Sequence, residues 1–186
     1  EILPDGTFTA DAYTQGSDIA SVTDPAGGTT SYQYDPLGRL TGAIQPGGIV
    51  TGFAYDSQDN LVSVTDAENL TTAYRFDDMG RKVEETSPDT GTTACTYDAA
   101  GNLVQKTDAN NVTVAYSYDD LSRLIAVAYP DAAQDVAFTY DEGHNGIGRL
   151  TGVVDPSGAT AYSYDARGRL LAAENTIDGA LYTTGY

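Results

Sequence analysis

Aromatic residues return through this chain on a nearly fixed period, and that period limits the fold more than any other feature. They stand at Tyr13, Tyr34, Tyr55, Phe76, Tyr97, Tyr118, Tyr140, Tyr164 and Tyr186, in steps of 21, 21, 21, 21, 21, 22, 24 and 22 residues. A second column lies two residues earlier, at Tyr32, Phe53, Tyr74, Cys95, Tyr116, Phe138 and Tyr162. Of the 18 aromatics, 15 fall in these two columns; Phe8, Tyr129 and Tyr182 do not. A repeat of this length is the signature of an array in which each unit buries its apolar face against its neighbours.

The residues before each lead aromatic alternate. Val112, Val114, Tyr116 and Tyr118 share one face, as do Leu70, Thr72, Tyr74 and Phe76. Alternation over about seven residues rich in Tyr, Thr and Val predicts a strand with one covered face. The two aromatic columns are then expected to form a stacked core. Cys95 replaces an aromatic there and is expected to point into that core as a small apolar group.

A turn follows each lead aromatic. Tyr34-Asp35-Pro36-Leu37-Gly38-Arg39-Leu40, Tyr97-Asp98-Ala99-Ala100-Gly101-Asn102-Leu103 and Tyr164-Asp165-Ala166-Arg167-Gly168-Arg169-Leu170 are its clearest copies. Asp-x-x-Gly predicts a type I turn closed by a residue of positive φ, with the Asp side chain bonding backbone two residues on. Asp59, Ser122 and Ser17 take the Gly position in three copies. A second strand follows, such as Leu61–Thr65 or Leu103–Thr107. It ends in a far turn, as in Asp24-Pro25-Ala26-Gly27, Gln45-Pro46-Gly47-Gly48 and Asp155-Pro156-Ser157-Gly158. Each repeat therefore reads as strand, turn, strand, turn, and no helical period is present. Pro4, Pro25, Pro46 and Pro88 each lie nine residues before a lead aromatic. That register places Glu1 level with Val22 and Tyr186 level with Tyr34. The expectation is a single array over residues 1–186, about eight repeats cut mid-repeat at both ends and belonging to a longer protein.

The Tyr-Asp-x-x-Gly-Arg-Leu unit, its period near 21 and the Asp-Pro-x-Gly far turn resemble the RHS (YD) repeats, across essentially the whole chain. That family includes bacterial Rhs polymorphic toxins, the shell-forming component of insecticidal Tc toxin complexes, and the teneurins. The resemblance implies an all-β fold, a strip of antiparallel hairpins coiled as a β-solenoid, hollow shell or tube segment. It also implies a secreted or cell-surface location. In the toxin-type members the shell encloses a C-terminal cytotoxic domain. The self-cleaving core of those members is not recognised in this sequence, so their proteolytic and toxic activities do not carry over.

Charge narrows the partners. With 27 acidic and 9 basic residues, net charge -18, the surface repels phosphate backbones and anionic membranes. No apolar run approaches the roughly 18–20 residues of a spanning helix. The single cysteine excludes an internal disulfide framework. The partners expected are neighbouring repeats, of this chain or of identical chains, and an encapsulated toxin domain. Nucleic acid binding and membrane insertion are not expected.

Four features bear on chemistry. The aromatic columns could stack on sugars, but their alternation with Val, Ile and Leu favours packing. The Asp column (Asp35, Asp56, Asp77, Asp98, Asp119, Asp141, Asp165) could hold calcium. One carboxylate per repeat is thin for an ion wanting six to eight oxygens, and turn formation accounts for these residues. Their charge is partly offset by the arginines further along each turn, Arg39, Arg81, Arg123, Arg149 and Arg169. His144, the only histidine, sits in the insertion Glu142–Ile147 and has no second ligand nearby in sequence. Gly47-Gly48 lacks the Lys and helix of a phosphate cradle. No catalytic, cofactor or metal residue is assigned. The expected function is non-catalytic: the wall of a shell that encapsulates or presents a C-terminal cargo. The alternative is the repeat scaffold of an extracellular filament or adhesin. An enzyme acting on polysaccharide ranks last, since it needs a cleft with two carboxylates about 5–10 Å apart.

Overall fold

A computed structural model describes residues 9–186; Pro4 and Phe8 lie outside them. The chain separates into two compact units, Glu1–Thr93 and Ala94–Tyr186. The first holds β1 (Ala10–Tyr13), β2 (Ile19–Thr23), β3 (Thr29–Tyr34), β4 (Leu40–Gln45), β5 (Ile49–Tyr55), β6 (Leu61–Thr65), β7 (Thr71–Phe76) and β8 (Lys82–Ser87). The strand β9 (Gly91–Tyr97) spans the boundary. The second unit continues with β10 (Leu103–Thr107), β11 (Thr113–Tyr118), β12 (Leu124–Ala128), β13 (Val136–Tyr140), β14 (Leu150–Asp155), β15 (Gly158–Tyr164), β16 (Leu170–Ile177) and β17 (Ala180–Gly185).

Within the first unit each strand from β1 to β8 pairs antiparallel with the next. In the second unit the same holds from β9 to β17. The fold is all-β. One element departs from the sequence reading: a three-residue 3-10 turn, Ala132–Gln134, in the connection between β12 and β13. Asp131 caps it, its carboxylate accepting from the Ala133 amide at 3.0 Å. Asp135 steadies the same loop by accepting from the Tyr129 amide at 2.8 Å.

Register explains the motif's leucine. In the clearest copies the lead aromatic faces the Leu that closes its own turn: Tyr34 opposite Leu40, Tyr97 opposite Leu103, Tyr164 opposite Leu170; Phe76 faces Lys82 instead. The register slips by one residue beside each of these pairs, the bulge that a type I turn plus a left-handed residue produces. Most of the second aromatic column faces small or branched residues, Tyr32 opposite Ala43, Phe53 opposite Val64, Tyr116 opposite Val127 and Tyr162 opposite Ala173, whereas Tyr74 faces Glu85. Large opposite small is how a single sheet face packs flat.

The expectation of a stacked core needs correction. The columns do share one face: Thr72, Tyr74 and Phe76 are half-buried while Thr71, Ala73 and Arg75 are exposed. Yet among the described residues only Gly42, Val127, Gly146, Thr151 and Ala173 are buried, and no side chain is fully enclosed. The aromatics of these columns stay partly accessible, most of them half-buried. The 1.5–3 kcal/mol that full burial of such a side chain contributes is therefore an upper bound here. Tyr13 and Tyr186 are exposed, at 60% and 74%.

Cys95 lies half-buried on the aromatic face, opposite Lys106. A partly open face has room for a ring at this position. Cys95→Phe and Cys95→Tyr are therefore expected to match or raise the stability of the parent in urea denaturation. A loss of more than about 2 kcal/mol, the mark of overpacking, would contradict this placement.

Candidate functional site

The near turns, those that follow the lead aromatics, carry a polar network that recurs from repeat to repeat. In the turn after β3, the Gly38 amide donates to the Asp35 carbonyl at 3.0 Å, and the Asp35 amide donates to the Arg39 carbonyl at 2.9 Å. Asp35 Oδ1 accepts from the amides of Leu37 (2.9 Å) and Arg39 (3.0 Å), while Oδ2 accepts from Arg39 Nε at 2.7 Å. The same pattern recurs at Asp77 with Arg81, Asp119 with Arg123 and Asp165 with Arg169. Where Arg is replaced by Asn60 or Asn102, the Asn side-chain amide donates to Oδ2 of Asp56 or Asp98 instead.

The turn needs a left-handed residue three after the Asp. Gly38, Gly101 and Gly168 provide it at φ of 79°, 93° and 79°. Ser17, Asp59 and Ser122 take the positive φ expected of them, at 71°, 65° and 59°. In the turn after Tyr13, closed by Ser17, Thr14 stands in for the Asp, its hydroxyl accepting from the amides of Gly16 and Asp18. Gly168 has a second reason to be glycine. The Arg149 guanidinium lies against it where a side chain would stand.

Sequence reasoning missed the forward reach of these arginines. Arg39 Nη1 donates forward to the Asp56 carbonyl at 3.0 Å and to Asp59 Oδ1 at 2.6 Å, and its guanidinium lies 4.9 Å from the Tyr55 ring centre. Arg123 repeats this in the second unit. It donates to Asp141 at 2.6 and 3.1 Å and sits 4.4 Å from the Tyr140 ring centre. Each of these two arginines thus closes its own turn and grips the next. The lead tyrosines bind in the opposite direction. Tyr34 Oη donates to the Ile19 carbonyl at 2.9 Å, and Tyr118, Tyr140 and Tyr164 donate to the carbonyls of Leu103, Leu124 and Leu150. The available signal was the repeat period itself, which puts the Arg of one near turn beside the lead Tyr and Asp of the next, 17 residues on from Arg39 to Asp56 and 18 from Arg123 to Asp141.

One expected pairing is corrected. Arg149 does not neutralise Asp141. The insertion separates them, and Arg149 instead donates to the carbonyls of Asn145 and Ile147 while lying 5.6 Å from the Tyr164 ring centre. Asp141 takes its charge partner from the preceding turn, Arg123. The insertion is held down by Asn145 Nδ2, which donates to the Tyr164 carbonyl at 3.1 Å. His144 is exposed on it.

Other chemistry meets the same geometry. Asp35, Asp56, Asp77, Asp119 and Asp165 each accept two backbone amides and a guanidinium or side-chain amide, bonds with which a cation would have to compete. The rings of Tyr55, Tyr140 and Tyr164 carry a guanidinium on one face, which removes that face from sugar stacking. A groove of about 420 Å³ beside the 3-10 turn is lined by Asp135 and Asp155 among alanines and valines. A glycosidase acid needs a raised pKa. Asp155 instead sits below its ordinary value, held down first by the Ser157 hydroxyl and then by the Ser157 amide.

Against this geometry stands a family match: the teneurin YD-shell model covers residues 15–183. The chain belongs to the teneurin YD-shell family. Solved structures agree in fold. A crystal structure of TcdB2-TccC3-Cdc42 aligns with 98% of this chain at 17% identity and TM-score 0.67. One of TcdB2-TccC3 aligns with 98% at 18% identity and TM-score 0.66. The Photorhabdus luminescens Tc holotoxin pore aligns with 95% at 16% identity and TM-score 0.58. The chain spans 12%, 12% and 9% of the lengths of those three chains. No curated protein matches it. This YD-shell chain is thus a structural module of a shell wall.

The turn carboxyls set an acid limit on this YD-shell array. Asp35, Asp77 and Asp119 lie below their ordinary value, chiefly because the amide of the residue four on donates to them, with the guanidinium of that residue adding to the effect. In Asp56 and Asp98 the Asn side-chain amide is the main cause. A depressed carboxyl stabilises the fold above its unfolded pKa, and that stabilisation is lost as pH falls through the folded value. The Tm is therefore expected to keep this contribution from pH 7 to pH 5 and to drop below about pH 4. A Tm unchanged at pH 2 would refute it.

Arg123 tests the forward grip. Arg123→Lys keeps the charge and loses the fork that spans Asp119 and Asp141. It is expected to lower Tm, and Arg123→Ala to lower it further. Arg167→Lys, at an exposed turn tip, is expected to leave it unchanged. Equal melting of Arg123→Lys and the parent would show that the grip contributes nothing.

Proposed function

We propose that residues 1–186 act as one repeat array in the wall of an extracellular shell, and that the shell encloses or presents a C-terminal toxin or other cargo. The observation that carries this reading is the forward grip of Arg39 on Tyr55, Asp56 and Asp59, repeated by Arg123 on Tyr140 and Asp141. Such contacts fix one turn against the next, which is what a wall requires and a flexible tether does not. The partly open aromatic face offers a second support, since it suits a surface lying along a partner or cargo. The family match and the fold shared with TcdB2-TccC3 point the same way. No helix among the described residues is long and apolar enough to cross a membrane, and the acidic surface keeps a large assembly soluble. Partners are then neighbouring repeats and the cargo, and catalysis is assigned to no residue of this chain. The motif residues Tyr34, Asp35, Gly38, Arg39 and Leu40, with their counterparts at 97–103 and 164–170, are read as structural throughout.

Electron microscopy of the native, full-length protein tests this. Closed hollow particles on the order of a hundred ångströms across, the scale of strips advancing about 10 Å per repeat, are the expected result. Continuous filaments or open tubes would overturn encapsulation in favour of an extracellular scaffold.

A further inference from the structure

Two far turns share the backbone of the far turn that opens at Asp24 but carry a different residue at its left-handed position. The third position after the turn Asp is Gly27 there, at φ 86°. At Asp66 and Asp108 it is Asn69 and Asn111, at φ 61° and 60°. The turns are bonded alike. Asp24, Asp66 and Asp108 each accept through Oδ1 the amides of the residues two and four on. Asn is the side chain that best tolerates this backbone after Gly, so the turn alone accounts for an Asn here.

The two residues after each Asn are not needed by the turn. The sequences run Asn69-Leu70-Thr71 and Asn111-Val112-Thr113, each an N-x-Thr acceptor for N-linked sugar. Both asparagines are exposed, and so are the middle residues Leu70 and Val112, each 42% exposed. Neither carboxamide has a hydrogen-bond partner among the described residues, whereas Asn60, Asn102 and Asn145 are all bonded within the fold. The sequence holds no other Asn with Thr or Ser two residues on. Thr71 and Thr113 open their strands and share hydroxyl hydrogen bonds with Thr65 and Thr107 at 2.8 and 2.9 Å. The fold thus presents two equivalent, unengaged carboxamides at hairpin tips, clear of the aromatic face and of the near-turn network.

We propose that Asn69 and Asn111 are N-glycosylation sites, each placing a sugar on the far-turn edge of its own unit. The chemistry is a group transfer from a glycosyl diphosphate donor. Asn Nδ2 forms a bond to the anomeric carbon as that carbon's bond to the diphosphate oxygen breaks. The leaving diphosphate keeps the bonding electrons, and a base of the transferase takes the Nδ2 proton. A tip of this kind accommodates a bulky polar group without displacing any packed side chain. It would also raise the solubility of an edge that carries exposed Leu70 and Val112. The proposal rests on the extracellular reading given above.

The test is peptide mass spectrometry of the full-length protein from its own source, with culture medium and cells separated first. The expected result is a hexose-bearing mass increment on the peptides of both asparagines. Asn69→Gly and Asn111→Gly, which keep the left-handed turn, should each remove one increment. Thr71→Ser should retain it and Thr71→Val should abolish it. Unmodified Asn69 and Asn111 in protein recovered from the medium would overturn the acceptor assignment and leave the location standing. A modified chain found only inside the cells would support the acceptor assignment and overturn the location. An unmodified chain found only inside would overturn both.

Discussion

The bond on which this structure most depends is that between an Asp carboxylate and the backbone of its own turn. One oxygen collects two amides that the bulged hairpin would otherwise leave exposed, and the other orients the side chain four residues on. Without that anchor, Arg39 would have no reason to lie along the sheet edge. Held by Asp35, it is already directed at Tyr55 and at the Asp56–Asp59 turn. A local device for closing one hairpin thereby becomes a device for positioning the next. This is how an array of two-stranded units, each marginal by itself, gains order from neighbour to neighbour.

The tyrosines complete the connection in the direction opposite to the arginines. Their rings pack beside the motif leucines on the covered face, and their hydroxyls reach back to a carbonyl of the preceding repeat. A Phe at this position, as at Phe76, keeps the packing and forgoes the bond. The tie is directional as well as apolar. The backbone ladders between consecutive hairpins set the register, and a hydroxyl aimed at one carbonyl adds a side-chain tie in the same register.

Variation within the array obeys the same physics. Asn60 and Asn102 preserve the bond to the turn carboxylate. Asn102 reaches only as far as the Ser122 hydroxyl at 3.2 Å in the next turn, a neutral counterpart of the Arg grip. The insertion before Arg149 breaks the local Asp–Arg pair, and the array compensates from the preceding repeat, with Arg123 taking Asp141. Charge pairing is kept along the edge although the residue spacing is not.

Much of this was legible in the sequence. A period near 21, alternation before each aromatic, and Asp-x-x-Gly together determine strands, bulged turns and the face that packs, because each depends on backbone conformation within a few residues. Even the left-handed Asp59 and Ser122 follow from alignment with Gly38. The kinship of the Asp66 and Asp108 turns with the glycine turns is hidden in the sequence, since Asn stands where Gly is sought. The sequence could not determine the reach of Arg39 into the next repeat, the transfer of Asp141 from Arg149 to Arg123, or the partly open state of the aromatic face. Those depend on which side chains lie within a few ångströms across strands, and on whether a second layer covers the sheet. Only the tertiary structure decides such questions, because contact energies fall off over distances far shorter than the chain separations involved.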